Sequence, residues 1–161
     1  MSETSKPDQS GESLNERLHR ELEELYHELR SIIPGDEVLF AFLLTVAFTE
    51  RFRQLDDVDR WVYFATLMCS GVALVLLLAP SAFHRVRFRQ HDLEMMLKVA
   101  TAEMIAALVL ISLAITGVVF LITDVMFARR WASTLLAGVM FGLTSLLWWA
   151  HPLYRRREAT R

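Results

Sequence analysis

Residues Trp61–Ala79 read WVYFATLMCSGVALVLLLA, 19 positions without a charge. At 1.5 Å per residue, about 20 apolar residues cross the ~30 Å hydrocarbon core of a bilayer. A helix lying on a soluble core would keep polar residues along one face, and this stretch does not. Two further blocks repeat the pattern: Met104–Ile122 with 19 uncharged residues and Trp131–Ala150 with 20. Each is predicted to be a transmembrane helix. Val38–Thr49 is shorter, with 12 uncharged residues. It reads as a fourth span if extended to Phe52 and Leu55, with Glu50, Arg51 and Arg53 at an end where side chains can snorkel. The alternative is a core or re-entrant segment. As a full span it would need local bilayer thinning or partner helices.

The remaining composition agrees with a membrane protein. The chain has 161 residues, 53% hydrophobic and 22% charged, a length that fits one domain. A net charge of −2 gives no footprint for nucleic acid. A single cysteine, Cys69, excludes a disulfide framework and any multi-cysteine zinc site. The near-neutral total hides segregation. Residues 1–37 hold four basic and ten acidic side chains, a net of −6, and residues 151–161 hold four basic and one acidic, a net of +3.

Pro34-Gly35 is expected to end one helix and start the next, because proline lacks an N–H and disfavours helical geometry at Ile33. No proline falls inside the four predicted spans; Pro80 is expected to close the second, and Pro152 follows the fourth. Twelve Lys and Arg residues lie on one side of these spans: Lys6, Arg17, Arg20 and Arg30, then Arg85, Arg87, Arg89 and Lys98, then Arg155, Arg156, Arg157 and Arg161. Five lie on the other: Arg51, Arg53, Arg60, Arg129 and Arg130. The positive-inside rule therefore predicts both termini in the cytoplasm. Trp61, Trp131, Trp148 and Trp149 stand at span ends, where amphipathic rings prefer to be. The first 30 residues are polar and acidic and lack the apolar core of a signal peptide. The first span is expected to serve as the targeting signal, and a bacterial plasma membrane is the expected location.

Residues 1–11 read as a disordered tail. Ser13 and Glu16 form a capping-box pattern. Leu14, Leu18, Leu22, Leu25, Leu29 and Ile32 then recur at helical spacing, an apolar stripe on a cytoplasmic helix over 12–33. Glu16/Arg20 and Arg20/Glu24 support it at i, i+4. Surface helices that bind anionic lipid are rich in Lys and Arg; this one carries six glutamates and three arginines, so lipid binding is disfavoured. The stripe is expected to fold onto its own protein's cytoplasmic face, where the basic 85–89 stretch and the arginine tail are complementary in sign, to self-associate, or to dock another protein through Leu18, Leu22, Leu25 and Leu29.

An ionisable group inside a membrane is a functional candidate by default. The candidates for an ion or proton are Glu103, Glu50 and Asp124, with Asp36 and Glu37 expected at the water interface where the first span begins. The midplane is expected to hold only neutral polar groups: Thr45, Ser70, Ser112 and Thr116. The run from Glu50 to Arg60 reads as a self-neutralising turn, or as a place that holds a cation or a partner; Asp57 or Asp59 could cap the second span. His84 and His91 are too few for a metal site, and no span contains a histidine for haem. No nucleophile–base pair, phosphate loop or cofactor motif is readable, so no enzyme activity, catalytic residue, metal or cofactor is expected. Gly138 and Gly142, extended back by Thr134, form a small-xxx-small face that packs the third and fourth spans together or seams a homodimer. The 81–98 connection mixes apolar residues with arginines and reads as an interfacial, lipid-contacting segment.

These pieces resemble a known family. Leu39-Phe-Ala-Phe-Leu-Leu-Thr45, Arg51-Phe-Arg-Gln-Leu-Asp-Asp57 followed by Tyr63, and Ala79-Pro80 leading to His84-Arg85 and Phe88-Arg89 are similar to motifs of small four-span bacterial membrane proteins. Those proteins are common in actinobacteria and uncharacterised, and some are labelled sodium:proton antiporters by automatic transfer. The resemblance covers about residues 14–155 and implies a fold without an established activity. The expectation is an all-α integral membrane four-helix bundle, residues 34–153, with spans at about 36–54, 61–79, 101–123 and 131–150. The cytoplasmic amphipathic helix precedes it and a basic tail, 154–161, follows. Its expected partners are the bilayer and either copies of itself or a larger membrane complex, with no nucleic acid. Its expected role is a non-catalytic scaffold or accessory subunit; the alternative is an oligomeric proton- or sodium-coupled transporter.

Overall fold

The computed structural model describes residues 14–86 and 93–150, with side chains for 16–82 and 94–148. The tails at 1–11 and 154–161 lie outside the described residues, as do the side chains of His84, Arg85, Arg87, Arg89, His91, Trp149 and His151. All regular structure among the described residues is helical: α1 (Leu14–Val46), the single turn α2 (Glu50–Arg53), α3 (Asp57–Val86), α4 (Leu93–Phe127) and α5 (Arg130–Ser145), which runs into a π-helical turn at Leu146–Ala150. Three helices are long and apolar enough to cross a membrane: Asp57–Ala82, Glu94–Phe127 and Arg130–Trp148. α1 is not one of them, because charged residues recur from Glu16 to Glu37 and leave no long apolar run.

Two expected breaks do not occur. α1 runs through Pro34, and α3 continues past Pro80 to Val86. A proline inside a helix costs about 3 kcal/mol through a lost hydrogen bond and a ring clash. At Pro34, packing outweighs that local cost. Leu29 before the proline and Asp36 and Leu43 after it are all buried, and bonds to α3 tie both halves down. Tyr26 Oη donates to the Pro80 carbonyl at 3.4 Å, Ser70 Oγ to Asp36 at 2.9 Å, and Tyr63 Oη to the Leu43 carbonyl. Ten residues forward on α1 from Tyr26 to Asp36 match ten back on α3 from Pro80 to Ser70. Seven more, from Asp36 to Leu43, match seven from Ser70 to Tyr63. The two helices are therefore antiparallel and in register along the whole uncharged run of α3.

The leucine stripe finds its cover within its own chain. Leu25 and Leu29 pack in one cluster with Ala73 and Leu77 of α3 and Ala100, Ala107 and Ile111 of α4, and Leu22 is also buried. The cover is the apolar faces of α3 and α4; the 85–89 side chains and the arginine tail expected to receive the stripe lie outside the described residues. α4 is the central helix, packing on α1, α3 and α5. Its approach to α3 is close: a Cβ at Gly117 would lie 2.0 Å from Thr66 Oγ1, so only glycine fits there. α5 lies on α4 through Ser133, Ala137 and Thr144, which are its buried residues. Ser112 of α4 and Thr144 share a hydroxyl–hydroxyl bond of 2.7 Å. The α5 packing face is thus displaced from the predicted one. Nothing lies within 4 Å of a Cβ built on Gly138 or Gly142, and Thr134 is exposed.

The connections have specific local causes. Thr49 caps α2, its side chain accepting from the Phe52 N–H. The cap of α3 is Asp56 rather than Asp57 or Asp59: its Oδ1 accepts from the Asp59 N–H at 2.9 Å, the position an N-cap carboxylate serves. α4 ends at Ala128, whose φ of 50° is left-handed. Arg129 follows in an extended conformation and starts α5.

Candidate functional site

Among the described residues, two acidic side chains are buried, Asp36 and Asp59. Asp36 is 3% exposed. Its Oδ1 accepts the hydroxyl of Ser70, and its Oδ2 is buried without a hydrogen-bond partner. Ser70 is itself fully buried and stands at the centre of Trp61–Ala79, nine residues from either end, or roughly 13 Å of helix. Asp36 is therefore level with the middle of the uncharged run of α3, not at the water interface where α1 was expected to begin a span. The neutral midplane expected from sequence is corrected accordingly. Thr45 also moves, to the end of α1 just beyond the Leu43–Tyr63 pairing.

The sequence held a signal for Asp36. The buried stripe of α1 continues past Ile32: Leu22, Leu25, Leu29, Ile32, Asp36, Phe40 and Leu43 follow one another at three- and four-residue steps. Reading Pro34 as a helix end cut the stripe in two and hid that Asp36 lies on it.

The second acid, Asp59, is 6% exposed at the far end of the bundle. It belongs to a group with Asp56 on the α2–α3 connection, Asp124 near the end of α4 and Arg130 at the start of α5. Arg130 bonds Asp56 Oδ2 and lies 3.7 Å from Asp59 Oδ1 and 3.8 Å from Asp124 Oδ2. Ser133 donates to Asp124 Oδ1 at 2.9 Å. Asp59 Oδ1 has no hydrogen bond of its own. An open cavity of about 450 Å³, lined in part by Arg51, Gln54, Asp56, Asp59, Asp124 and Arg130, sits over this group. Outside the spans, the carboxyl of Asp56 is held below the usual range, first by the Asp59 N–H it accepts and also by Arg130. Among the described residues, no group of three or more His, Cys, Asp or Glu side chains is arranged to hold a metal ion.

The predicted ion candidates are not brought together. Asp124 joins the Arg130 group. Glu50 is exposed and lies 3.5 Å from Arg53. Glu103 is half-buried on α4, toward the opposite end. Lys98 of the same helix pairs with Glu94 at 2.6 Å. The mixed-charge connection is largely self-neutralising: Arg53 meets Glu50, Arg60 meets Asp57 and Arg130 meets Asp56. Cys69 is half-buried and free.

Among the described residues, these features define an all-helical protein with three membrane-span-like helices, α3 and α5 packed on α4, and a fourth long helix laid along α3. The chain belongs to a family of unknown function, DUF6328, which it matches over residues 11–152. No curated protein and no solved structure matches it.

Proposed function

We propose that the chain is a non-catalytic integral membrane protein that works as a scaffold or accessory subunit by lateral assembly of its helices. Glu37 carries this reading. α1 follows α3 in register along its uncharged run, so α1 lies in the membrane as a fourth helix. Glu37 is exposed and adjoins Asp36, level with the centre of α3. A charged residue facing hydrocarbon at that depth costs roughly 2.5–3.5 kcal/mol or more. A glutamate side chain is too short to reach an interface roughly 13 Å away along the helix. Covering the outer face of α1 with protein removes the cost.

The occupant we infer is a second copy of the chain. Gly35 on α1 and Gly138 and Gly142 on α5 all face open space, and small residues let membrane helices approach closely. The excess of Lys and Arg at one end supports a topology with both termini in the cytoplasm, and a bacterial plasma membrane is the location we infer. The test is the mass of the full chain in lipid nanodiscs. The wild type is expected as an oligomer, and Gly138→Leu with Gly142→Leu as a monomer of unchanged helical content that melts lower than the wild type, because those positions touch nothing within the protomer while loss of assembly uncovers Glu37. A wild type that is monomeric at all lipid ratios would overturn the proposal.

The second reading, proton- or sodium-coupled transport by an oligomer, draws on Glu103, Glu50 and Asp124. Their separation within one protomer counts against a shared path, and proteoliposome flux unaffected by Glu103→Gln and Asp124→Asn would remove it.

A further inference from the structure

The geometry of the α1–α3 seam points to Asp36 as a proton-binding site: the side chain holds a proton at neutral pH, as a carboxylic acid hydrogen-bonded to Ser70. Three observations converge on it. The side chain is 3% exposed. Its only hydrogen bond among the described residues is from the neutral hydroxyl of Ser70. Its second oxygen is buried with no donor aimed at it. A carboxylate in that position would keep a full charge with one oxygen bare, and an unpaired buried charge is far costlier than an unpaired buried hydroxyl. A proton on Oδ2 removes the charge and leaves the Ser70 bond in place.

The charged and titratable neighbours do not supply a counter-charge. On α1, Arg30 and Glu37 are exposed while Asp36 points inward. On α3, Cys69 adjoins Ser70 and is half-buried. On α4, Thr66 opposite Gly117 puts Leu113 level with Ser70, so Glu103 lies ten residues away, roughly 15 Å along the helix. No ion pair joins Asp36 to any of these groups among the described residues.

The proton has a structural consequence. Asp36–Ser70 is the polar contact midway between the Tyr26 and Tyr63 bonds that tie α1 to α3. Loss of the proton would place a charge in the middle of that seam, so protonation and the seating of α1 are linked. If the folded protein holds a proton that the unfolded chain releases, stability falls as pH rises from the ordinary aspartate range through the point where Asp36 ionises.

The test is infrared spectroscopy of the full chain in nanodiscs from pH 5 to 9. A carbonyl band of a protonated carboxylic acid is expected at pH 7, absent in Asp36→Asn and shifted in Ser70→Ala, which removes its hydrogen bond. If Asp36→Asn does not fold, the shift in Ser70→Ala assigns the band by itself. Asp36→Asn is also expected to melt higher than the wild type at pH 8, and to lose the fall in melting temperature with rising pH. Absence of the acid band at every pH from 5 to 9, or a band unchanged in both variants, would overturn the proposal. Neither result bears on assembly, which is read from mass.

Discussion

The two buried aspartates sit in opposite kinds of surroundings. At the end of the bundle, Asp59 is one of three carboxylates gathered about Arg130, with a hydroxyl, a backbone N–H and an open cavity close by. In the seam, Asp36 has one hydroxyl and apolar surroundings. The end group sets a cation beside its carboxylates, although Asp59 keeps one oxygen buried without a hydrogen bond. The seam has no cation, and the remaining way to relieve a buried carboxylate there is to neutralise it. The two aspartates thus differ in whether the neighbouring helices bring a counter-charge.

The sharpest way to break this contrast is to remove the cation. Arg130→Ala would leave Asp56, Asp59 and Asp124 facing one another. Deleting one partner of a buried pair costs about 3–5 kcal/mol. Arg130 is 44% exposed, so solvent screening makes the expected loss smaller than that of a fully buried pair. Thermal unfolding in detergent reads it. Adding Asp59→Asn to that variant should recover part of the loss, and a double-mutant cycle reports the coupling. Strict additivity would show that Arg130 does not compensate Asp59.

A smaller effect is expected in acid. The folded carboxyl of Asp56 is held down by the Asp59 N–H and Arg130. Its contribution is therefore present above its unfolded range and lost as pH falls through its folded value. The protection of first-turn α3 amides against hydrogen exchange, taken relative to the unfolded chain at the same pH, should fall in acid in the wild type and be already low in Asp56→Ala. This is opposite in sign to the pH dependence expected for Asp36, so the two can be separated in one titration.

The smallest effect concerns the turn that delivers Arg130. Ala128 adopts a φ of 50°, a left-handed conformation that glycine enters without strain from a Cβ. Ala128→Gly removes that strain and adds unfolded-chain entropy. A net gain of up to about 1 kcal/mol is expected, read as a small rise in melting temperature. A fall would show that the alanine methyl has a packing role at this end.

The apolar helices were legible in the sequence because their signal is composition: three long stretches without charge admit few other readings. The stripe Leu22, Leu25 and Leu29 was legible as a buried face, since its period belongs to a helix. What covered it was not, because periodicity names a face and never its partner. The Gly138–Gly142 pattern shows the same limit. Its spacing permits a close helix contact, yet α4 takes the neighbouring face with Ser133, Ala137 and Thr144.

Asp36 was misplaced by a local rule. Proline disfavours helix continuation, and by that rule alone α1 stops before Gly35. Register with α3 outweighs it, holding both sides of Pro34 against one straight neighbour. Local chemistry along the chain determined the elements, their apolar faces and the segregation of charge. The depth of Asp36, the gathering of Asp56, Asp59 and Asp124 around Arg130, and the open faces of α1 and α5 were decided by tertiary packing. Each depends on distances between helices that are far apart in sequence, and no local preference encodes them.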